Sequence, residues 1–442
     1  MKRKILLSVF LVLFFSISLT FSLGIVAFGE SKAGGNEVLS NAPQLKAEDG
    51  SWNQNFFVDL SNWVNDRFFL RQEMITLDNV VTAVGFGTSG AKKVIVGKDG
   101  WLFFNDTLGD YTGTKTLSER EMLGVIKNIQ LMDEYCKLNG REFVFVIAPN
   151  KNSVYGEFMP GYGVKSEYRD SQKLMAALKQ SGVKTADLFE AIGSKSEQLY
   201  FKHDSHWNSK GAALGADVIN KAFGKITDFF GGEFSKKRVN EGDLYGMIYP
   251  ALRDTEIDWC FGFKRNFEFT GTGKTPTSIT ITTKSQQEGK LLAYRDSFGS
   301  LLFPYLAESY GECYFSRKTA YDLTIESDYV MVELVERNFN YLLKYAPVLP
   351  SPEREIQVPD IAIGTVLQKA NAGTVAPAGY KRVEGVLPVE SDDDSSVYIC
   401  ANGKYYEAFV LQNNGFVAYI PESAEAQSVV FTVNGQSVKC DF

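Results

Sequence analysis

Between Phe143 and Ala148 the chain reads Phe-Val-Phe-Val-Ile-Ala with no polar residue, and the run stops at Pro149-Asn-Lys151. An uninterrupted apolar run of strand length cannot face water on either side, so it belongs in a sheet covered on both faces. The same punctuation recurs along the chain. A helix with a Ser-x-x-Glu start, Ser118 to Glu121, runs from Ser118 to Asn139 ahead of that strand. Helical spacing from Ser171 to Gln180 precedes strand-like Val183 to Leu188. Leu199-Tyr-Phe201 then leads into a helix from Ser209 to Phe223. Lys290 to Tyr294 leads to helical Ser300 to Tyr310, and Tyr329-Val-Met-Val-Glu-Leu334 leads to another helix. Buried strands alternating with helices predict an α/β domain, three layers deep, around a mostly parallel sheet. In such folds functional residues collect at the carboxyl ends of strands. Asn150, Asp204 and Ser297 each follow a candidate strand and are expected on one rim.

The ends of the chain have a different grammar. Met1-Lys-Arg-Lys4 precedes 25 uncharged residues, Ile5 to Gly29, which predicts a membrane anchor with its cationic end inside, or a signal segment, over 1–29. Either way the remainder is expected outside the cytoplasm. A stalk and helical region is expected over 30–90, where Trp52, Phe56, Phe57, Leu60, Trp63 and Val64 recur at helical spacing. The α/β domain is then placed at 91–346. Prolines 347, 350, 352 and 359 mark a linker over 347–378. Asn-Gly pairs at 402, 414 and 434, set among short alternating runs, predict hairpins in a small β module over 379–442.

The formal net charge is −7, and setting aside Lys2, Arg3 and Lys4 leaves the remainder more acidic still. That balance argues against nucleic acid or anionic lipid as the main partner. Five cysteines in 442 residues do not make a disulfide scaffold, since a core of this size needs no staples. Cys400 and Cys440 lie in the same C-terminal module, where export permits them to pair; Cys136 reads as a buried thiol.

Only two histidines are present, both in His203-Asp-Ser-His-Trp-Asn208. An aspartate two residues before a histidine can orient the imidazole from within a tight loop, which makes Asp204 and His206 two members of a candidate triad. Ser297, in Arg295-Asp-Ser-Phe-Gly299, is the candidate nucleophile: a strand-to-helix turn exposes the hydroxyl beside helix N-terminal N–H groups. Asn150 and Lys151 are candidate oxyanion or substrate-binding groups, as are Arg295, Arg337 and Asn338. A zinc site at His203, Asp204 and His206 lacks further histidines or clustered thiolates, so no metal is expected.

Several blocks, in order, resemble the exported polysaccharide O-acetyltransferases of the SGNH-hydrolase type, which include the alginate acetylation proteins and the DHHW-type proteins. They are Lys98-Asp-Gly-Trp-Leu-Phe103, Ile147-Ala-Pro-Asn-Lys151, Asp204-Ser-His-Trp207, Gly242-Asp-Leu244 and Arg295-Asp-Ser-Phe298, within about Ser51 to Leu343. The resemblance implies an SGNH-like α/β/α domain with permuted motif order and Asp204, His206 and Ser297 as triad. Arg295 stands where the group usually shows glycine, and His203-Asp-Ser-His replaces Asp-His-His.

The expectation is an extracytoplasmic O-acyltransferase, using no cofactor, that acetylates a cell-envelope or exported polysaccharide through an acyl-serine. The resemblance implies a membrane-bound O-acyltransferase as acyl-donating partner. A carbohydrate acetylesterase would use the same residues, and a non-catalytic polysaccharide-binding or export-assisting protein would use the same scaffold.

Overall fold

A computed structural model describes residues 8–16, 24, 25, 27–31, 39–47, 49–86, 88–164, 169–262, 264–368 and 375–442. Residues 1–7, 17–23 and 26 of the expected anchor, and 32–38, 48 and 87 of the expected stalk region, therefore lie outside the described residues. Among the described residues no helix is long and apolar enough to cross a membrane. Ahead of the main domain stand helices α1 (Phe56–Arg67) and α2 (Arg71–Phe86).

The central sheet has seven strands: β1 (Glu142–Ala148), β2 (Thr185–Ala186), β3 (Glu268–Phe269), β4 (Thr280–Lys284), β5 (Lys290–Tyr294), β6 (Glu312–Ser316) and β7 (Tyr329–Val335). Their order is β2-β1-β7-β5-β6-β4-β3. Pairing is parallel from β2 through β6 and antiparallel for the last two strands. Period-two alternation divides the core. Val144, Val146 and Ala148 face one layer with Ala293 and Met331, while Phe143, Phe145 and Ile147 face the other with Leu292, Val330 and Val332. The first layer is covered by α4 (Ser209–Ala222) and α6 (Gly299–Ala307), the second by α3 (Glu119–Leu138) and the 3-10 turns of Glu336–Leu343. Helix α3 begins with a full capping box: the Ser118 hydroxyl accepts from Glu121 N, and the Glu121 carboxylate accepts from Ser118 N.

Three local expectations are corrected. Leu199–Phe201 is not a sheet strand; only Tyr200 bridges, to Trp207, closing the histidine loop on itself. The segment 347–378 supplies strands to the C-terminal module: Glu353–Arg354 and Ala362–Thr365 edge one sheet, and Leu367–Gln368 edges the other. Cys400 and Cys440 carry free thiols on strands separated by Ala426–Val433, too far across the sheet to be direct neighbours. Two hairpins turn at Asn402-Gly403 and Asn434-Gly435 with positive φ at both positions, and a third turns at Asn413-Asn414, one residue earlier than the Asn-Gly pattern indicates.

The module is bolted to the main domain. Phe409, Leu411, Val417 and Tyr419 pack into the layer under α3. Asn128 of α3 is fully buried; its Nδ2 donates to Leu342 O and Val410 O, both at 2.8 Å, and its Oδ1 accepts from Val410 N at 3.1 Å. Arg354 forks between Glu134 and Glu407, and Glu407 also meets Lys127.

Candidate active site

The loop Phe201–Asn208 is held at its mouth by two backbone bonds, Phe201 N to His206 O and Asn208 N to Leu199 O. Asn208 then caps α4, its side chain accepting from Gly211 N. Within the loop the Asp204 Oδ1 accepts from His206 N at 2.9 Å and faces His206 Nδ1 at 2.7 Å. One carboxylate thus shapes the turn and orients the ring. Trp207 lies fully buried beneath, donating its indole N–H to Phe298 O at 3.1 Å.

Ser297 sits in the turn between β5 and α6, as the sequence indicates. Asp296 fixes this turn: its carboxylate accepts from Phe298 N at 2.9 Å, Val335 N at 2.8 Å and Asn338 Nδ2 at 3.3 Å. The Ser297 Oγ lies 2.9 Å from His206 Nε2. With Nδ1 donating to Asp204, Nε2 is left to accept from the serine hydroxyl. The structure therefore brings Asp204, His206 and Ser297 into one unbroken hydrogen-bonded line. His206 and Ser297 are both partly exposed, and the Phe298 ring stands 4.8 Å from the imidazole.

Burial of His206 disfavours its charged form, but the hydrogen bond and charge of Asp204 and the charge of Asp243 outweigh it and raise the pKa. For Asp204 burial also opposes ionisation; the bond and charge of His206 and the N–H groups of His206 and Asp243 overcome it, bringing the pKa down to about 2.

Asp243 is a site residue that sequence reasoning placed in a motif block without assigning it a part. It opens α5 (Asp243–Ile248), accepts from Ser205 N at 2.7 Å and Ser205 Oγ at 2.6 Å, and lies 3.9 Å from His206 Nδ1. Its own N–H bonds Asp204 Oδ2. Gly242 before it has no alternative, because a Cβ there would lie 2.2 Å from His203 O. Asp204, His206 and Asp243 offer ligand atoms within 4.8 Å of one another, yet those atoms are already engaged in the bonds just described.

The other candidates divide. Asn150 and Arg337 meet at 3.4 Å, and the Arg337 guanidinium stands 5.7 Å from the Phe298 ring, which places this pair beside the nucleophile turn. Asn150 also donates to Asp110, whose pKa is pushed up to about 6 by burial and then by the Glu336 charge. Asp110, Arg337, Lys115 and Arg169 line a narrow cleft. Three candidates are engaged within the protein around the site. Lys151 is buried, its ammonium spent on Phe201 O, Lys202 O and Asp204 O. Arg295 is buried with its guanidinium on Pro276 O, Ser278 O, Ser300 Oγ and Asp296 O, because a charge inside the domain must find acceptors there. Asn338 braces Asp296 from behind. His203 pairs with Asp254 at 3.2 Å, outside the triad line.

The family described as SGNH hydrolase-like domain, acetyltransferase AlgX, matches residues 94–255. The probable alginate O-acetylase AlgJ of Pseudomonas putida is 26% identical over 149 residues, 33% of this chain and 38% of that one. The alginate biosynthesis protein AlgX of Pseudomonas aeruginosa is 28% identical over 169 residues, 36% of this chain and 34% of its own. The chain thus spans little more than a third of the length of these curated relatives. Among solved structures, Bacillus cereus PatB1 with a sulfonyl adduct aligns at TM-score 0.43 and 18% identity, covering 56% of this chain and 95% of that one. Residues 94–255 are thus similar to the SGNH hydrolase-like domain of acetyltransferase AlgX, a span that holds Asp204 and His206 and ends before Ser297.

Proposed function

We propose that this protein is an extracytoplasmic O-acetyltransferase acting on a hydroxyl of a polysaccharide. The observation that carries the reading is the continuous line Asp204–His206–Ser297, at 2.7 and 2.9 Å. Ser297 Oγ attacks the acyl carbonyl while its proton passes to His206 Nε2, and that proton leaves with the donor's departing group. A sugar hydroxyl then attacks the acyl-serine; His206 takes its proton and returns it to Ser297 Oγ. Asp204 holds the tautomer and stabilises the imidazolium throughout. Arg337, beside the turn and braced by the buried Asn150, stabilises the charge developing on the carbonyl oxygen. None of these steps calls on a cofactor.

The named activities of the similar proteins, alginate O-acetylation among them, support a polysaccharide acceptor. In this reading the uncharged run Ile5–Gly29 holds the chain at the membrane, and a membrane-bound O-acyltransferase supplies the acyl group from the cytoplasm. The test is acetyl transfer from an aryl acetate to an oligosaccharide by wild type, Ser297→Ala and His206→Ala. Each variant is expected to lose about 10³- to 10⁶-fold in rate while keeping its fold. Product acetylated sugar identifies a transferase, free acetate alone an esterase. Unchanged rates in both variants return the chain to a binding or export-assisting role.

A further inference from the structure

Helix α2 is inverted for a helix on a protein surface. The face turned to the domain is polar: Gln72, Thr76 and Asn79 are buried, Asn79 Nδ2 donates to Ile248 O at 2.7 Å, and Thr76 Oγ1 accepts from Ala251 N at 3.0 Å. The face turned outward is apolar. Met74, Leu77 and Val81 fall on one stripe at spacings of three and four, and are 45%, 58% and 57% exposed. A surface helix ordinarily has these two faces the other way round.

A second observation bears on what could cover the stripe. Residues 8–16 are helical, and Val9 through Phe15 are exposed, a helix apolar on every side that needs an apolar phase around it. The segment leaving the uncharged run is fixed to the end of α1. The Phe28 ring stacks on Phe69 at 4.8 Å, Glu30 pairs with Arg67 at 3.1 Å, and Ser31 N donates to Arg67 O at 3.2 Å. Helix α2 starts two residues after Phe69.

We propose that the outward stripe of α2 is a second membrane contact, seated in the interfacial layer of the bilayer that receives the Ile5–Gly29 run. This rests on reading that run as membrane-embedded. Glu73 and Asp78 flank the stripe, so the contact is made by apolar insertion and gains nothing from anionic headgroups. Its effect is to hold the active site at a set height. The inward face of α2 is pinned to α5 and the residues after it, and Asp243 at the head of α5 holds Ser205 beside His206. The triad is thereby two helices from the membrane surface.

The experiment uses full-length protein in vesicles of phosphatidylcholine, with and without phosphatidylglycerol. An environment-sensitive fluorophore is placed singly at Val12→Cys, Leu77→Cys or Ser437→Cys in a Cys260→Ser background, and spin-labelled lipids serve as quenchers. Emission at 12 and 77 is expected to shift to the blue and be quenched, at 77 most by shallow spin labels and equally in both lipid mixtures; position 437 stays unquenched. Quenching at 12 but not at 77 leaves the anchor and overturns the second contact. Quenching at neither removes both readings. A blue shift at 77 without lipid quenching overturns the proposal in favour of a second copy of the chain.

Discussion

The Lys151 ammonium lies 2.6 Å from the backbone carbonyl of Asp204, with Phe201 O and Lys202 O as its other two acceptors. Three donors meet three carbonyls, and the loop that carries His206 is pinned to the end of β1. Lys151→Met leaves Phe201 O and Asp204 O without their donor, while Lys202 O keeps Leu102 N at 2.9 Å; it is expected to cost about 2–4 kcal/mol of stability together with a fall in kcat, read by urea denaturation and by turnover of folded enzyme.

Burial brings the Lys151 pKa down to about 8, with Asp204, Asp243 and Glu256 partly opposing the shift. Above that pH the neutral amine keeps two N–H donors for three carbonyls. An alkaline limb in kcat with its midpoint near pH 8 is therefore expected. A rate unchanged up to pH 10 assigns the loop's position to its other bonds.

The acid limb belongs to His206. In the proposed reaction His206 is the general base and must be neutral, so activity is expected to fall as pH drops through the His206 pKa, which is raised by Asp204 and Asp243. The stability gained from protonated His206 runs the opposite way: it is fully present below pH 6.5 and fades as pH rises through the raised value. Asp243→Asn removes one of the charges raising that pKa and is expected to move the acid limb of kcat/KM downward. An unmoved limb shows that Asp204 alone sets it.

Glu333 is fully buried in β7, and its carboxyl accepts from Asp296 N at 3.2 Å, next to the nucleophile. Burial and then the Asp296 charge push its pKa well above the usual carboxylate range, which favours the uncharged form. Glu333→Gln is expected to change stability by less than about 1 kcal/mol and to keep the rate, because the amide reproduces an uncharged carboxyl. A large loss in that variant means the proton itself is used.

Asn128→Leu severs the three bonds that join α3 to Leu342 and Val410. A loss of about 3 kcal/mol is expected, with kcat per folded molecule unchanged, since Asn128 touches the C-terminal module and not the triad.

The sheet was legible because Phe143–Ala148 and Tyr329–Leu334 are too apolar to sit anywhere but between two layers of helix. The line of Asp204, His206 and Ser297 was legible because scarcity singled out His206 and a strand-to-helix turn singled out Ser297. Lys151 and Arg295 were not, since a charge beside a motif reads as cleft-facing until the carbonyls that bury it are known, and those come from distant segments. The strands of 353–368 escaped notice because proline-rich segments with two to four paired residues carry no periodic signal. The inverted polarity of α2 was equally hidden, because which face is inward depends on α5.

Ser297 and His206 are 91 positions apart in the chain. Each comes on its own loop, and they meet only once α4 and α6 have docked, with Tyr305 of α6 bonded to Ser209 O and Trp207 to Phe298 O. Before that the chain holds an unactivated alcohol and a solvated imidazole. In the proposed reaction, reactivity therefore belongs to the folded domain: a fragment bearing one loop alone lacks the pairing that would activate Ser297.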